Sequence, residues 1–214
     1  MNKKCRKKGN RLRKVMASLL VVSSLVSYSV PMAFASNQPL PYVCGFDEQN
    51  IGDLPASIKT TGEVYVTEQF GKKALMLKND NDGDMVSAAV SFDNVSGEML
   101  TTEVSVLQKS LRTNGNVYVS FLNGSSEIAA IVSKNDALVY RSGKTEFALI
   151  DAYMPNKWYD ITFTIDFNES IAKVFIDGKC ILSNAPLEGG YTYCDGVSSY
   201  TKYSPGFLID DLKI

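Results

Sequence analysis

The segment WYDITFTIDF, residues 158–167, alternates without a break. Trp158, Asp160, Thr162, Thr164 and Asp166 fall on one side, and Tyr159, Ile161, Phe163, Ile165 and Phe167 on the other. Successive side chains of a strand point to opposite faces, so this pattern is a β-strand with its apolar face on a core and its polar face outward. The chain then turns at Asn168-Glu169-Ser170 and alternates again through IAKVFIDGK. Asp177-Gly178 tolerates the positive φ angles of a two-residue hairpin turn and predicts a third strand folding back.

The same period of two recurs along the chain. Strands are predicted at Val43–Phe46, Gly62–Thr67, Ala74–Lys78, Met85–Val90, Met99–Leu107, Asn116–Leu122, Ile128–Ser133, Ala137–Tyr140, Trp158–Phe167, Ile171–Ile176, Lys179–Leu182 and Gly206–Lys213. Asp82-Gly83, Asn114-Gly115, Asn123-Gly124 and Ser142-Gly143 punctuate them as turns. No window of helix length carries an apolar face at helical spacing. The expected fold is all-β, an antiparallel two-sheet jelly-roll sandwich. The stretch YTYCDGVSSYTKY falls between predicted strands and reads as a loop.

The first 35 residues stand apart. MNKKCRKKGNRLRK carries eight basic residues and no acid, VMASLLVVSSLVSYSV is a short apolar run, and Ala33-Phe34-Ala35 is a small-x-small cleavage site. This is the pattern of a secretory signal peptide, and the run is too short and serine-broken for a membrane span. A secreted chain is expected, with residues 36–42 as a polar lead-in and 43–214 as one domain. The whole chain has 22 basic and 23 acidic side chains; without the leader's eight, 14 basic remain against 23 acidic, a net charge of −9. That balance argues against a nucleic acid partner. There is no histidine, which removes His-based triads, His general bases and His metal sites. Cys44, Cys180 and Cys194 remain after the leader. Export favours one disulfide; Cys180 with Cys194 is the first choice because they bracket a turn-rich segment, and Cys44 with either stays open.

NKWYDITFTIDFNESIAKVFIDGK, the opening FDEQNIGDLPASI, the segment GKKALML and the closing FLIDDLKI together resemble the concanavalin A-like lectin/glucanase superfamily, in its laminin-G-like branch. The resemblance covers about Val43 to Ile214. It implies that the closing strand runs beside the first, and that a structural calcium lies between them, with Asp47, Glu48, Asp210 and Asp211 as candidate ligands. Acids at strand ends also simply face solvent. NDNDGDM sets Asp80, Asp82 and Asp84 at alternate positions, but the twelfth place of a calcium loop is Ser91. No organic cofactor is expected.

Glycosidases of this superfamily carry closely spaced acids on one strand, whereas Asp160 and Asp166 stand about 20 Å apart along theirs. Lyases need a base and an arginine; only Arg112 and Arg141 lie beyond the leader. The principal expectation is therefore a non-catalytic carbohydrate-binding module for a cell-surface or environmental glycan. Its ligand residues are drawn from the tyrosine-rich segment, Tyr191, Tyr193, Asp195, Tyr200 and Tyr203, and from the polar turn at Arg112 and Asn114. A structural or protein-interaction domain recognising another extracellular protein is the alternative, and a polysaccharide lyase or glycoside hydrolase the next.

Overall fold

Apolar alternation on this scale leaves each sheet with one face to bury, and the chain buries both against each other. The computed structural model describes residues 37–81, 83–110, 115–203 and 205–214; the expected leader and Arg112 and Asn114 lie outside them. In chain order the strands are β1 (Val43–Cys44), β2 (Lys59–Thr61), β3 (Glu63–Gln69), β4 (Lys72–Lys78), β5 (Val86–Ser96), β6 (Met99–Gln108), β7 (Val117–Asn123), β8 (Ser126–Lys134), β9 (Ala137–Ser142), β10 (Thr145–Ile150), β11 (Trp158–Asp166), β12 (Ile171–Ile176), β13 (Lys179–Pro186), β14 (Tyr193–Thr201) and β15 (Gly206–Lys213). The first sheet runs β13-β12-β11-β6-β15-β4-β3, with β1 on β15; the second runs β10-β9-β8-β7-β14-β5-β2. The result is an all-β sandwich of two antiparallel sheets. Among the described residues no helix is long and apolar enough to cross a membrane.

Strand β11 follows its sequence pattern. Tyr159, Ile161, Phe163 and Ile165 are buried in the main core, and Trp158, Asp160, Thr162 and Thr164 face outward. It pairs with β6 along its whole length, from Trp158 opposite Leu107 to Asp166 opposite Met99. Asp177 and Gly178, with φ of 51° and 74°, form the tight turn that pairs Ile176 with Lys179. The closing strand lies beside the first, Val43 opposite Lys213. Between the sheets, the Phe163 ring meets Phe121 at 4.8 Å and Tyr140 at 6.1 Å between centroids.

One end of the sandwich is closed by buried polar groups that satisfy one another. Gln108 Oε1 accepts from Asn116 Nδ2 at 2.8 Å and from the Tyr118 hydroxyl at 3.1 Å, while Gln108 Nε2 donates to the Gly206 carbonyl at 3.1 Å. Thr201 donates to Asn116 Oδ1. These bonds tie β6, β7, β14 and β15 together without leaving a buried amide unpaired.

Three strands depart from expectation: β2, β10 and β14. The last matters most, because the tyrosine-rich segment is not a loop. It is an interior strand between β7 and β5. Gly196, Ser198 and Ser199 give it the composition of a turn, yet small residues suit it: a Cβ on Gly196 would lie 3.2 Å from the Val90 carbonyl oxygen.

The disulfide expectation is also corrected. Cys44, Cys180 and Cys194 are all free thiols. Cys180 is exposed on the outer strand β13 of the first sheet, and Cys194 is buried in β14 of the second. Burial pushes the Cys194 thiol up to about 12 and raises that of Cys44. Alkylation at pH 8 of native protein prepared without residues 1–35 is therefore expected to modify Cys180 and spare Cys44 and Cys194, with all three reacting after denaturation. Intact mass reads the count; no reaction at Cys180 until a reductant is added would restore the disulfide.

Candidate functional site

Of the residues expected to bind a ligand, Tyr193, Asp195 and Tyr200 are spaced along β14, with Tyr191 and Tyr203 beyond its two ends. Tyr193 and Tyr200 sit near its two ends, seven residues and about 23 Å apart in an extended strand. Tyr191 packs against the main core. The Tyr193 carbonyl accepts from Asn123 Nδ2 at 3.0 Å. Asp195 is committed to the β7–β8 turn, where its two oxygens accept the Gly124 N–H at 2.9 and 3.0 Å. Tyr203 lies against Gly115, where an added Cβ would come within 2.7 Å of its ring.

Tyr200 faces outward from the second sheet and joins a small polar group. Arg141 Nη2 donates to both oxygens of Glu127 at 2.8 and 2.9 Å, and the Tyr200 hydroxyl lies 3.4 Å from the same carboxylate. This brings together an arginine and a tyrosine, the residue types a lyase uses. The arrangement opposes that chemistry on two counts. Burial, and then the Glu127 charge, raise the Tyr200 phenol, which makes it a poor base at neutral pH. Arg141 is already engaged by Glu127 at both oxygens, leaving little to neutralise a uronate.

Of the four residues expected around calcium, Asp210 and Asp211 have a cationic partner. Asp47 and Glu48 are exposed, Asp210 is buried and Asp211 is exposed. Lys72 Nζ lies 3.9 Å from Asp210 and 3.7 Å from Asp211. Lys73 Nζ donates to the carbonyls of Asp47 and Gln49 at 2.8 and 2.9 Å. Two ammonium groups thus supply positive charge at this corner, and among the described residues no group of three or more His, Cys, Asp or Glu is placed to hold a metal ion.

Burial raises the Asp210 carboxyl, with the charges of Asp211 and Asp47 adding to it. A carboxyl raised in the folded state stabilises the fold when protonated, and that contribution is lost as pH rises through the folded value. Asp210→Asn is therefore expected to melt higher than the parent at pH 7, with the gap closing below about pH 4, where both states of the parent are protonated. Melting curves at the two pH values check this; a lower melting temperature for the variant at pH 7 would contradict it.

The convergence of chemistry that the sequence did not reveal is on the outward face of the first sheet. Strands β4, β6, β11 and β15 surround an open depression of about 320 Å³ lined by Lys72, Glu103, Ser105, Asp160, Thr162, Asp211 and Lys213. That volume is at the lower end for small-molecule sites. Register explains the meeting: Ser105 stands opposite both Asp160 and Asp210, and Glu103 opposite both Thr162 and Lys213. Ser105 donates to Asp160 Oδ1 at 2.6 Å, and Lys213 Nζ to Glu103 Oε2 at 2.9 Å. Asp160 and Glu103 are diagonal neighbours on adjacent strands, about 7 Å apart at their Cβ atoms.

Trp158 borders this depression, two residues before Asp160 on the same face of β11. It is half-buried, packed with Tyr65 against Ala74, Met76, Leu107 and Leu208. The Lys72 ammonium lies 5.5 Å from its ring centroid. A second depression, about 400 Å³ beside Glu63, Lys78 and Asp80, has Lys78 held by both carboxylates.

No protein-family model matches the chain, and no curated protein matches it in sequence. Solved structures do share its fold. Domain 4 of AbnA, an extracellular arabinanase from Geobacillus stearothermophilus solved in complex with arabinotriose, superposes with a TM-score of 0.53 at 16% identity, over 80% of this chain and 89% of that one. The lectin UEA-II, solved with galactose, gives 0.55 at 9% identity, over 80% and 97%. A sialidase gives 0.57 at 12% identity over 74% of this chain, which spans only 17% of the sialidase. At such identities the likeness establishes the two-sheet sandwich, found in both sugar-binding and sugar-processing proteins, and not membership of a concanavalin A or laminin-G family.

Proposed function

We propose that this chain is a secreted, non-catalytic glycan-binding module whose binding surface is the polar depression on its first sheet. The observation that carries the reading is the convergence of carboxylate, ammonium and hydroxyl groups from four strands on one depression, with Trp158 adjoining it through Lys72. Sugars offer an apolar face and a rim of hydroxyls, and the partly exposed edge of a half-buried indole next to polar groups matches both. Glu103, Asp211 and Lys213 are about half exposed, so they can exchange their present partners for sugar hydroxyls, while Lys72 stays beside the buried Asp210. The fold neighbours solved with arabinotriose and galactose support the same class of ligand.

A glycan-array screen tests the proposal. Specific hits are expected for the purified protein, and Asp160→Ala, at an exposed position, should weaken them about 10-fold while leaving the melting temperature within a few degrees. Trp158→Ala should weaken them at least as much. Hits that survive both substitutions would move the site elsewhere, and a clean negative from folded protein would favour a protein-interaction role.

Glycoside hydrolysis is the second reading, favoured by the diagonal pair Glu103 and Asp160, whose spacing is compatible with two carboxyls flanking one glycosidic bond. Release of reducing ends from any array hit, abolished in Glu103→Gln, would establish it. Glycan retained intact supports binding alone.

A further inference from the structure

Resting on the glycan-binding reading, we infer that the first-sheet depression selects sugars by charge, favouring a free amine and rejecting carboxylated or sulfated glycans. Three carboxylates, Glu103, Asp160 and Asp211, line it against two ammonium groups, Lys72 and Lys213. Both lysines are engaged, Lys213 by Glu103 at 2.9 Å and Lys72 by Asp211 at 3.7 Å and Asp210 at 3.9 Å. Asp160 accepts one hydrogen bond from Ser105 and makes no ion pair among the described residues. It is the carboxylate in the depression without a direct ion pair, with Lys213 and Lys157 near enough to feel its charge.

An acidic sugar entering here would meet Asp160 at close range and would have to take a lysine away from its carboxylate. The surrounding field adds to this, because the chain beyond the leader carries 14 basic and 23 acidic side chains. A protonated amine meets the opposite conditions. Asp160 offers it a carboxylate that no ion pair occupies among the described residues. A hexosamine resting beside Trp158 can therefore place its ammonium on a carboxylate two residues along the same strand. A neutral or N-acetylated sugar would keep the stacking and lose the ion pair.

Calorimetric titration of the purified protein with β-1,4-linked tetramers of glucosamine, N-acetylglucosamine and glucuronate tests the ranking. The glucosamine tetramer is expected to bind about 5- to 10-fold tighter than the acetylated one at pH 6 and low salt. The glucuronate tetramer should give no measurable heat. Asp160→Asn should bring the glucosamine and N-acetylglucosamine tetramers to equal affinity, and 0.5 M salt should narrow the gap between them in the parent protein. Glucuronate binding as tight as glucosamine, or an amine preference unchanged in Asp160→Asn, would overturn the inference. Failure of all three tetramers to bind a protein that does bind array glycans would overturn it too and leave the binding reading standing. Failure of both tetramers and array would remove both.

Discussion

Phe163→Ala is expected to destabilise the fold by about 3–5 kcal/mol, the usual cost of deleting a buried aromatic ring. Phe163 is fully enclosed, and it contacts Phe121 of β7 and Tyr140 of β9 while standing on β11 of the opposite sheet. It therefore links the two sheets, and the space it leaves cannot close without moving one sheet toward the other. For a domain of this size the melting temperature should fall by roughly 10 °C or more. Phe175 provides the control. It lies on β12 with its side chain on the outward face, half-exposed, and Phe175→Ala should cost only about 1 kcal/mol. Equal costs at the two positions would mean that the faces of the first sheet have been assigned the wrong way round. Thermal and urea denaturation of the two variants decide it.

The second large effect is expected at a residue with no side chain. Gly206 opens β15 with φ of 82°, opposite Lys78 of β4. A Cβ there would lie 1.9 Å from the Leu77 carbonyl oxygen and 3.2 Å from the Asn79 backbone nitrogen. Both obstacles are backbone, so no rotamer change relieves them. Gly206 also supplies the carbonyl that accepts from Gln108 Nε2, so displacing it disturbs the buried network at that end of the sandwich. Unfavourable φ and overlap together should cost Gly206→Ala about 2–4 kcal/mol. Gly45→Ala, with nothing within 4 Å of the added carbon and no positive φ, should be close to neutral. A Gly206→Ala protein as stable as the parent would show that β15 can begin elsewhere without loss.

The sequence made these positions legible to different degrees. The faces of β11 could be read directly, because each residue's neighbours two places away share its polarity. The hairpin at Asp177-Gly178 was equally plain, since the turn needs those residue types. The pairing of FLIDDLKI with the opening strand entered through resemblance rather than through any local signal. Strand β14 was missed because interior strands in tight quarters use Gly and Ser, residues that also make turns. Its place between β7 and β5 is set by the sheet order, which no local pattern encodes.

The candidate site was hidden for a related reason. Lys72, Glu103, Asp160 and Lys213 come from four strands, and register alone brings them to one face. A partial signal was present: Thr101, Glu103 and Ser105 alternate with core residues, as do Trp158, Asp160 and Thr162. Two polar faces with charged centres, one including the chain's only tryptophan, could have been set side by side. The tyrosines drew attention instead by being close in sequence, which a strand converts into distance.

That single tryptophan makes the central claim directly measurable. Emission from Trp158 should be read while the purified protein is titrated with a glycan that binds it by calorimetry. If the sugar occupies the depression on the first sheet, the emission changes saturably, with the same midpoint as the heat. Calorimetric binding that runs to saturation with Trp158 emission unchanged would place the glycan away from this depression and contradict the account.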